Sequence, residues 1–196
     1  MSSAQLIHYV EMCGYIGIFL AILLQSGLVI GLFFPGDSLL FTAGFLSIEG
    51  YFNIWWLTLG VTIMAIVGYE AGYWIGKKLE HWLLKKERFW LKKKYIRQAH
   101  DFYEKHGGQA IIIGRLLPVI RTFVPIVAGM VEMPRKTFWI WNVVGGVVWA
   151  GGITLAGYFL GRVFPAAQHY LMPVTILIIV LSAIPGVVHW WKGRLS

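Results

Sequence analysis

Long apolar runs, interrupted by a few polar positions, set the pattern of this chain. Residues 12–34 carry no charge and are broken only by Gln25, Ser26 and several glycines. The run closes on Pro35-Gly36-Asp37-Ser38, a turn in which Asp37 or Ser38 is expected to cap a short helix starting at Leu39. Residues 54–76 are long enough to cross a bilayer and hold one charge, Glu70. A basic, aromatic-rich stretch follows and stops at Gly107-Gly108. Residues 109–130 are apolar but contain Arg115, Pro118, Arg121 and Pro125, whereas 137–160 and 170–191 are two further span-length segments.

The segment 109–130 decides the topology. Its eleven Ile, Leu, Val and Phe residues favour insertion by roughly 3–7 kcal/mol, and its two arginines oppose it by about 5–7 kcal/mol. Two prolines add further cost to a continuous helix. A broken, re-entrant hairpin shielded by other helices is the expectation. Charge then orients the chain. No Lys or Arg precedes Lys77, and nine of the 17 basic residues lie within 77–97. With that stretch in the cytoplasm, a re-entrant 109–130 keeps Arg135, Lys136, Lys192 and Arg194 inside and leaves only Arg162 outside, as the positive-inside rule asks.

The chain also repeats itself. At an offset of 85 positions, 43–77 matches 128–162 with nine identities in 35, including Ala43-Gly44 with Ala128-Gly129. The heptapeptide 71–77 likewise matches 156–162. Given the charge-derived topology, the two halves are inverted copies, the plan of many secondary transporters. The fold class expected is an all-α integral membrane protein of inverted repeats. Each repeat is a re-entrant broken helical hairpin followed by a Gly-rich transmembrane helix. A single membrane domain fills 1–196: a first repeat over about 14–77, a cytoplasmic basic amphipathic stretch over 77–108, a second repeat over about 109–162, and a C-terminal helix at 170–191.

Composition agrees. The chain is 58% apolar and only 13% charged, against about 25% charged in soluble domains. The net charge of +8, placed between apolar runs, selects anionic lipid headgroups over nucleic acid as counter-ions. One cysteine, Cys13, excludes an intrachain disulfide, and the six histidines show no metal spacing. No metal, cofactor or catalytic group is expected, because neither an acidic cluster nor a Ser–His or His–Asp arrangement is apparent. The tryptophans are assigned mostly to the membrane interface.

The order Phe33-Phe34-Pro35-Gly36-Asp37-Ser38-Leu39-Leu40, Gly114-Arg115-Leu116-Leu117-Pro118-Val119-Ile120-Arg121-Thr122-Phe123-Val124-Pro125 and Ala128-Gly129-Met130, with Phe138, Asn142, Gly145-Gly146 and Trp149 downstream, closely resembles the bacterial DedA family of inner-membrane proteins, part of the SNARE-associated, VTT-domain-like superfamily. The resemblance implies two oppositely facing re-entrant hairpins, and movement of phospholipids or polyprenyl phosphates between leaflets in connection with the proton motive force. It makes Asp37 the acidic residue of the first hairpin, and Arg115 and Arg121 the essential basic pair of the second. Gln25 stands where many members carry glutamate, which weakens a two-carboxylate proton relay; Glu70 stands at another commonly acidic position.

From chemistry alone, Arg115 and Arg121 suit a lipid phosphate, since guanidinium is always charged and offers a planar fork of donors. Six residues apart, they converge only if the helix breaks near Pro118. Alternatively they neutralise Asp37 and Glu70. Those two carboxylates are candidates for proton coupling or ion pairing, and Gln25 and Asn142 for polar contacts between helices. Pro35, Gly36, Ser38, Gly114, Pro118, Thr122, Pro125 and Gly129 shape the hairpins. The expected activity is a non-enzymatic flippase for a lipid phosphate, undecaprenyl phosphate first and a phospholipid second, with protons and lipids as partners and a homo-oligomer left open. A proton-coupled transporter of small solutes or drugs and a non-transporting assembly factor are the alternatives.

Overall fold

In a computed structural model, the structure describes residues 3–27, 36–84, 103, 106–117 and 120–163. Pro35, Pro118, most of the basic stretch and the helix expected at 170–191 lie outside the described residues. Within them the chain is helical: α1 (Ser3–Gly27), α2 (Gly36–Leu46), a 3-10 turn (Ser47–Glu49), α3 (Ile54–Leu84), α4 (Gln109–Leu116), α5 (Val124–Met130), α6 (Arg135–Gly146), a π segment (Val147–Gly151) and α7 (Gly152–Val163). No strand occurs among the described residues.

Two helices are long and apolar enough to cross a membrane, within Ile54–Leu79 and over Arg135–Val163, where α6, the π segment and α7 run on as one rod. By contrast, α4 and α5 have 8 and 7 residues. At 1.5 Å per residue they reach about 12 and 10 Å, well short of a hydrocarbon core of roughly 30 Å. They are separated where the sequence reading placed its break: Leu117 is extended (ψ 111°) and 120–123 are turns.

Three sequence expectations need correction. The helix after the Pro-Gly-Asp-Ser turn begins at Gly36 rather than Leu39, so Asp37 and Ser38 lie inside its first turn. Asp37 is drawn away from capping by stronger, charge-assisted partners described below. The span read as 54–76 continues as helix to Leu84, carrying Lys77 and Lys78 on its exposed extension. The helix of the apolar run 12–34 starts before it, at Ser3, and is described to Gly27; 28–34 lie outside the described residues.

Between apolar helices in lipid, close packing matters more than hydrophobicity, and glycine lets backbones touch. Gly44 lies against the Thr154 carbonyl and Gly157 against that of Phe41, and with Asp37 at Trp149 and Phe45 and Ile48 at Gly161, α2 packs parallel on α7. Gly129 lies against the Tyr73 carbonyl and the Lys77 nitrogen, Gly76 against the Ile126 carbonyl and Gly72 against Pro125, so α5 packs parallel on α3. Two buried clusters result. One gathers Tyr69, Tyr73, Tyr103, Ile111, Val124 and Phe138. The other gathers Ile22, Leu40, Leu57, Val61, Ala65 and Trp149.

The α5–α6 corner is a Schellman cap. Met133 N–H donates to Ala128 O (3.0 Å) and Glu132 N–H to Gly129 O (3.2 Å), and Glu132 takes the left-handed position, φ 51°, where glycine is usual. Glu132→Gly is therefore expected to stabilise the protein by about 0.5–1 kcal/mol, a rise of roughly 1–4 °C in Tm. Thermal unfolding in detergent would show it, with Glu132→Ala giving no such gain.

Candidate functional site: a buried arginine–aspartate–tryptophan cluster

The site lies where the two clusters meet. Arg115, at the C-terminal end of α4, is 1% exposed and is the largest fully buried side chain described. One of its Nη1 hydrogens reaches Asn142 O at 2.8 Å, with Asn142 Oδ1 at 3.2 Å, and Nη2 donates to Ala65 O at 2.6 Å. These carbonyls use a second lone pair, so the helices keep their own bonds. The guanidinium carbon sits 3.8 Å from the centre of the Tyr69 ring, a cation–π contact strengthened by desolvation. Gly145 and Gly146 leave room for it: a Cβ on either would lie 3.3–3.5 Å from Arg115 Nη1. Asn142, itself fully buried, is oriented by Nδ2 donating to Ile66 O at 3.0 Å.

Arg121, in the break before α5, is turned to a carboxylate. Its Nη1 donates to Asp37 Oδ1 at 2.7 Å and Oδ2 at 2.9 Å. Trp149 Nε1 donates to the same Oδ1 at 2.9 Å. Trp149 stands on the π segment, a helix irregularity that recurs at functional sites. Its ring lies 5.0 Å from the Arg121 guanidinium carbon and 5.9 Å from that of Arg115. The two arginines thus meet on one indole. Two guanidiniums face one carboxylate there, and Nε of each arginine is buried without a hydrogen-bond partner. The Asp37 side chain is 42% exposed against 8% for Arg121, so the cluster opens to its surroundings on the Asp37 side.

The other expected residues fall around this cluster or away from it. Gln25 is fully buried and presses on Gly36, where a Cβ would collide with its amide. Thr122 is fully buried beside Arg121. Gly114 admits the Val124 side chain, folding α4 towards α5, and Pro125 opens α5 against Gly72. Ser38 is half-buried in the first turn of α2. Glu70 does not join the cluster: its Oε1 sits 3.3 Å from Arg135 Nη2, so neither hairpin arginine neutralises it. Tyr103, ahead of α4, donates its hydroxyl to Val124 O at 3.1 Å. Burial pushes that phenol above its ordinary pKa, which keeps it a donor.

Sequence reasoning missed the roles of Trp149 and Tyr69. Trp149 was grouped with the interface tryptophans, as Trp55, Trp56 and Trp139 are exposed, yet it is 5% exposed and holds Asp37. Its place in the family-like motif, next to the Gly145-Gly146 pair, was the available signal.

Apolar helices of spanning length around a buried cationic cluster define an all-helical membrane protein. The VTT domain profile matches residues 34–159. Protein DedA of Escherichia coli (strain K12) is 41% identical over 177 residues, covering 89% of this chain and 80% of its own length. An uncharacterized membrane protein of Mycobacterium leprae is 41% identical over 189 residues, 92% of this chain and 85% of its own. The inner membrane protein YqjA of Escherichia coli (strain K12) is 32% identical over 190 residues, with 92% and 85% covered. No solved structure matches. The chain belongs to the VTT-domain, DedA family of membrane proteins.

The geometry separates the arginines by role. Asn142→Ala strips a partner from a buried charge and is expected to cost about 1–3 kcal/mol. Arg115→Ala should lower the Tm in detergent more than Arg121→Ala, whose carboxylate partner is half in the open. Equal losses would contradict this division.

Proposed function

We propose that this protein carries a lipid phosphate between membrane leaflets, with undecaprenyl phosphate the first candidate and a phospholipid the second. The observation that supports it is the surplus positive charge of two guanidiniums over one carboxylate around Trp149, among helices built for lipid. A fixed cation in such a place calls for an anion. One phosphate on an apolar tail suits it, and the half-exposed Asp37 marks the way in. In this reading Arg121 takes the phosphate. Arg115, already held by two backbone carbonyls, fastens the second hairpin and adds its field. The chain acts as a carrier, not an enzyme.

The short α2 and the α4–α5 pair are then re-entrant hairpins of two inverted repeats. Their reciprocal packing supports this, since α2 lies on α7 of the other half and α5 on α3 of the first. The residence is the bacterial inner membrane, in several passes, with the 77–97 stretch and the C-terminus cytoplasmic. Coupling to protons is assigned to Asp37, whose carboxylate and a phosphate compete for the same Arg121 Nη1.

The test is leaflet exchange of undecaprenyl phosphate in proteoliposomes. Charge-assisted hydrogen bonds contribute about 1.5–3 kcal/mol, so Arg121→Ala should slow exchange by roughly 10- to 100-fold. Asp37→Asn, which removes the carboxylate that competes for Arg121, should change the rate from that of the wild type. Unchanged exchange in folded Arg121→Ala overturns the phosphate site. Solute flux without lipid exchange points to the small-solute transporter, and neither activity to an assembly factor.

A further inference from the structure

The two reciprocal helix contacts are alike but not in the same register. Gly44 and Phe41 of α2 correspond, at the 85-residue offset, to Gly129 and Ile126 of α5. Their partners on α7, Thr154 and Gly157, correspond to Tyr69 and Gly72 of α3. Yet α5 rests on Tyr73 and Gly76. The second contact is displaced by four residues, one helical turn, or about 6 Å.

Exchanging the two registers defines a second arrangement of the same chain. In it α5 rests on Tyr69 and Gly72, and α2 rests on Tyr158 and Gly161. A glycine waits at each new position. At present Gly72 faces the ring of Pro125 and, at 3.3 Å, the Gly27 carbonyl of α1, and Gly161 faces the side chains of Phe45 and Ile48, where Gly76 and Gly157 face carbonyls of the short helices themselves. The directions also agree. Both short helices run parallel to the rods they lie on, which are antiparallel to each other, so α5 advances towards its N-terminal tip by a turn while α2 withdraws from its own. The tips are joined by the Arg121–Asp37 bond, and both helices therefore travel the same way.

A separate observation selects the same shift. Tyr73 donates its hydroxyl to Met133 O, in the corner between α5 and α6, at 2.7 Å. One turn earlier, the Tyr69 hydroxyl is buried and has no hydrogen-bond partner. A four-residue slide puts Tyr69 where Tyr73 now stands relative to Met133. The unused donor becomes the one that holds the second register.

We propose that α2 and α5, tied by Asp37 and Arg121, form a slider that steps by one turn along the α3 and α6–α7 rods, carrying the phosphate-binding side chain with it. Arg115 and Trp149 stay with the rods. This deepens, and rests on, the lipid-phosphate reading by naming the movement that would turn its site from one leaflet to the other.

Spin labels test the movement without any lipid. In a Cys13→Ser background, labels at Phe123 and Trp56 report slider against rod, and labels at Trp56 and Trp139 report rod against rod. Tyr73→Phe and Gly76→Ala destabilise the present register. They are expected to shorten the 123–56 distance by about 6 Å and leave 56–139 unchanged. Tyr69→Phe and Gly72→Ala should keep the longer distance and slow lipid exchange at least tenfold. If Gly76→Ala does not fold, Tyr73→Phe, which loses one hydrogen bond, carries the measurement. An identical 123–56 distribution in Tyr73→Phe and Tyr69→Phe overturns the slider. Loss of lipid exchange in every protein, wild type included, with the distance still shifting, overturns the lipid-phosphate reading and leaves the slider standing.

Discussion

A guanidinium without water governs this structure. Burying an ion costs several kcal/mol unless its donors are matched, and Arg115 is 1% exposed. Its partners come from two separate places in the chain: Ala65 and Tyr69 on α3, and Asn142 on α6, where Gly145 and Gly146 leave room for it. Satisfying that one charge fixes how α3, α4 and α6 sit against each other. It also sets the end of α4, because a helix continuing past Leu116 would carry the following residues away from Trp149.

Arg121 answers the same constraint differently. Its Nη1 has a carboxylate, and the carboxylate has an indole, so charge is matched by charge instead of by carbonyls. A matched pair can separate when something else supplies the missing partner, whether a proton on Asp37 or an anion at Arg121. Carbonyls of two long helices offer no such exchange. The deeper arginine is therefore a fastening and the shallower one a contact that can be remade, although the two lie six positions apart in one motif.

Much of this was legible in the sequence, where periodicity and charge speak locally. The apolar runs located α3 and the long rod of α6 and α7, and insertion energetics placed the break between Arg115 and Arg121. Three features were not legible because they arise only in three dimensions. Asp37 read equally as a cap or as a carboxylate paired with a hairpin arginine, and only the fold shows that Arg121, 84 positions away, holds it. Glu70 looked like a partner for the hairpin arginines, but Arg135 reaches it first. Trp149 shares its composition signal with the interface tryptophans, and only the fold shows it buried on the π segment.

The register difference belongs to a further kind. Both halves carry a glycine wherever either arrangement needs one: Gly72 and Gly76 on α3, Gly157 and Gly161 on α7. Packing one short helix on each rod requires only one glycine per rod at a backbone contact. Glycine weakens a helix by roughly 1 kcal/mol relative to alanine, so a second one kept a turn away, in no close contact with the short helix's carbonyls, is costly in a rigid structure. It is accounted for if each rod serves two positions of its short helix, and the unbonded Tyr69 hydroxyl is accounted for in the same way. Features that reduce the stability of one arrangement are, on this view, what makes the two arrangements close in energy.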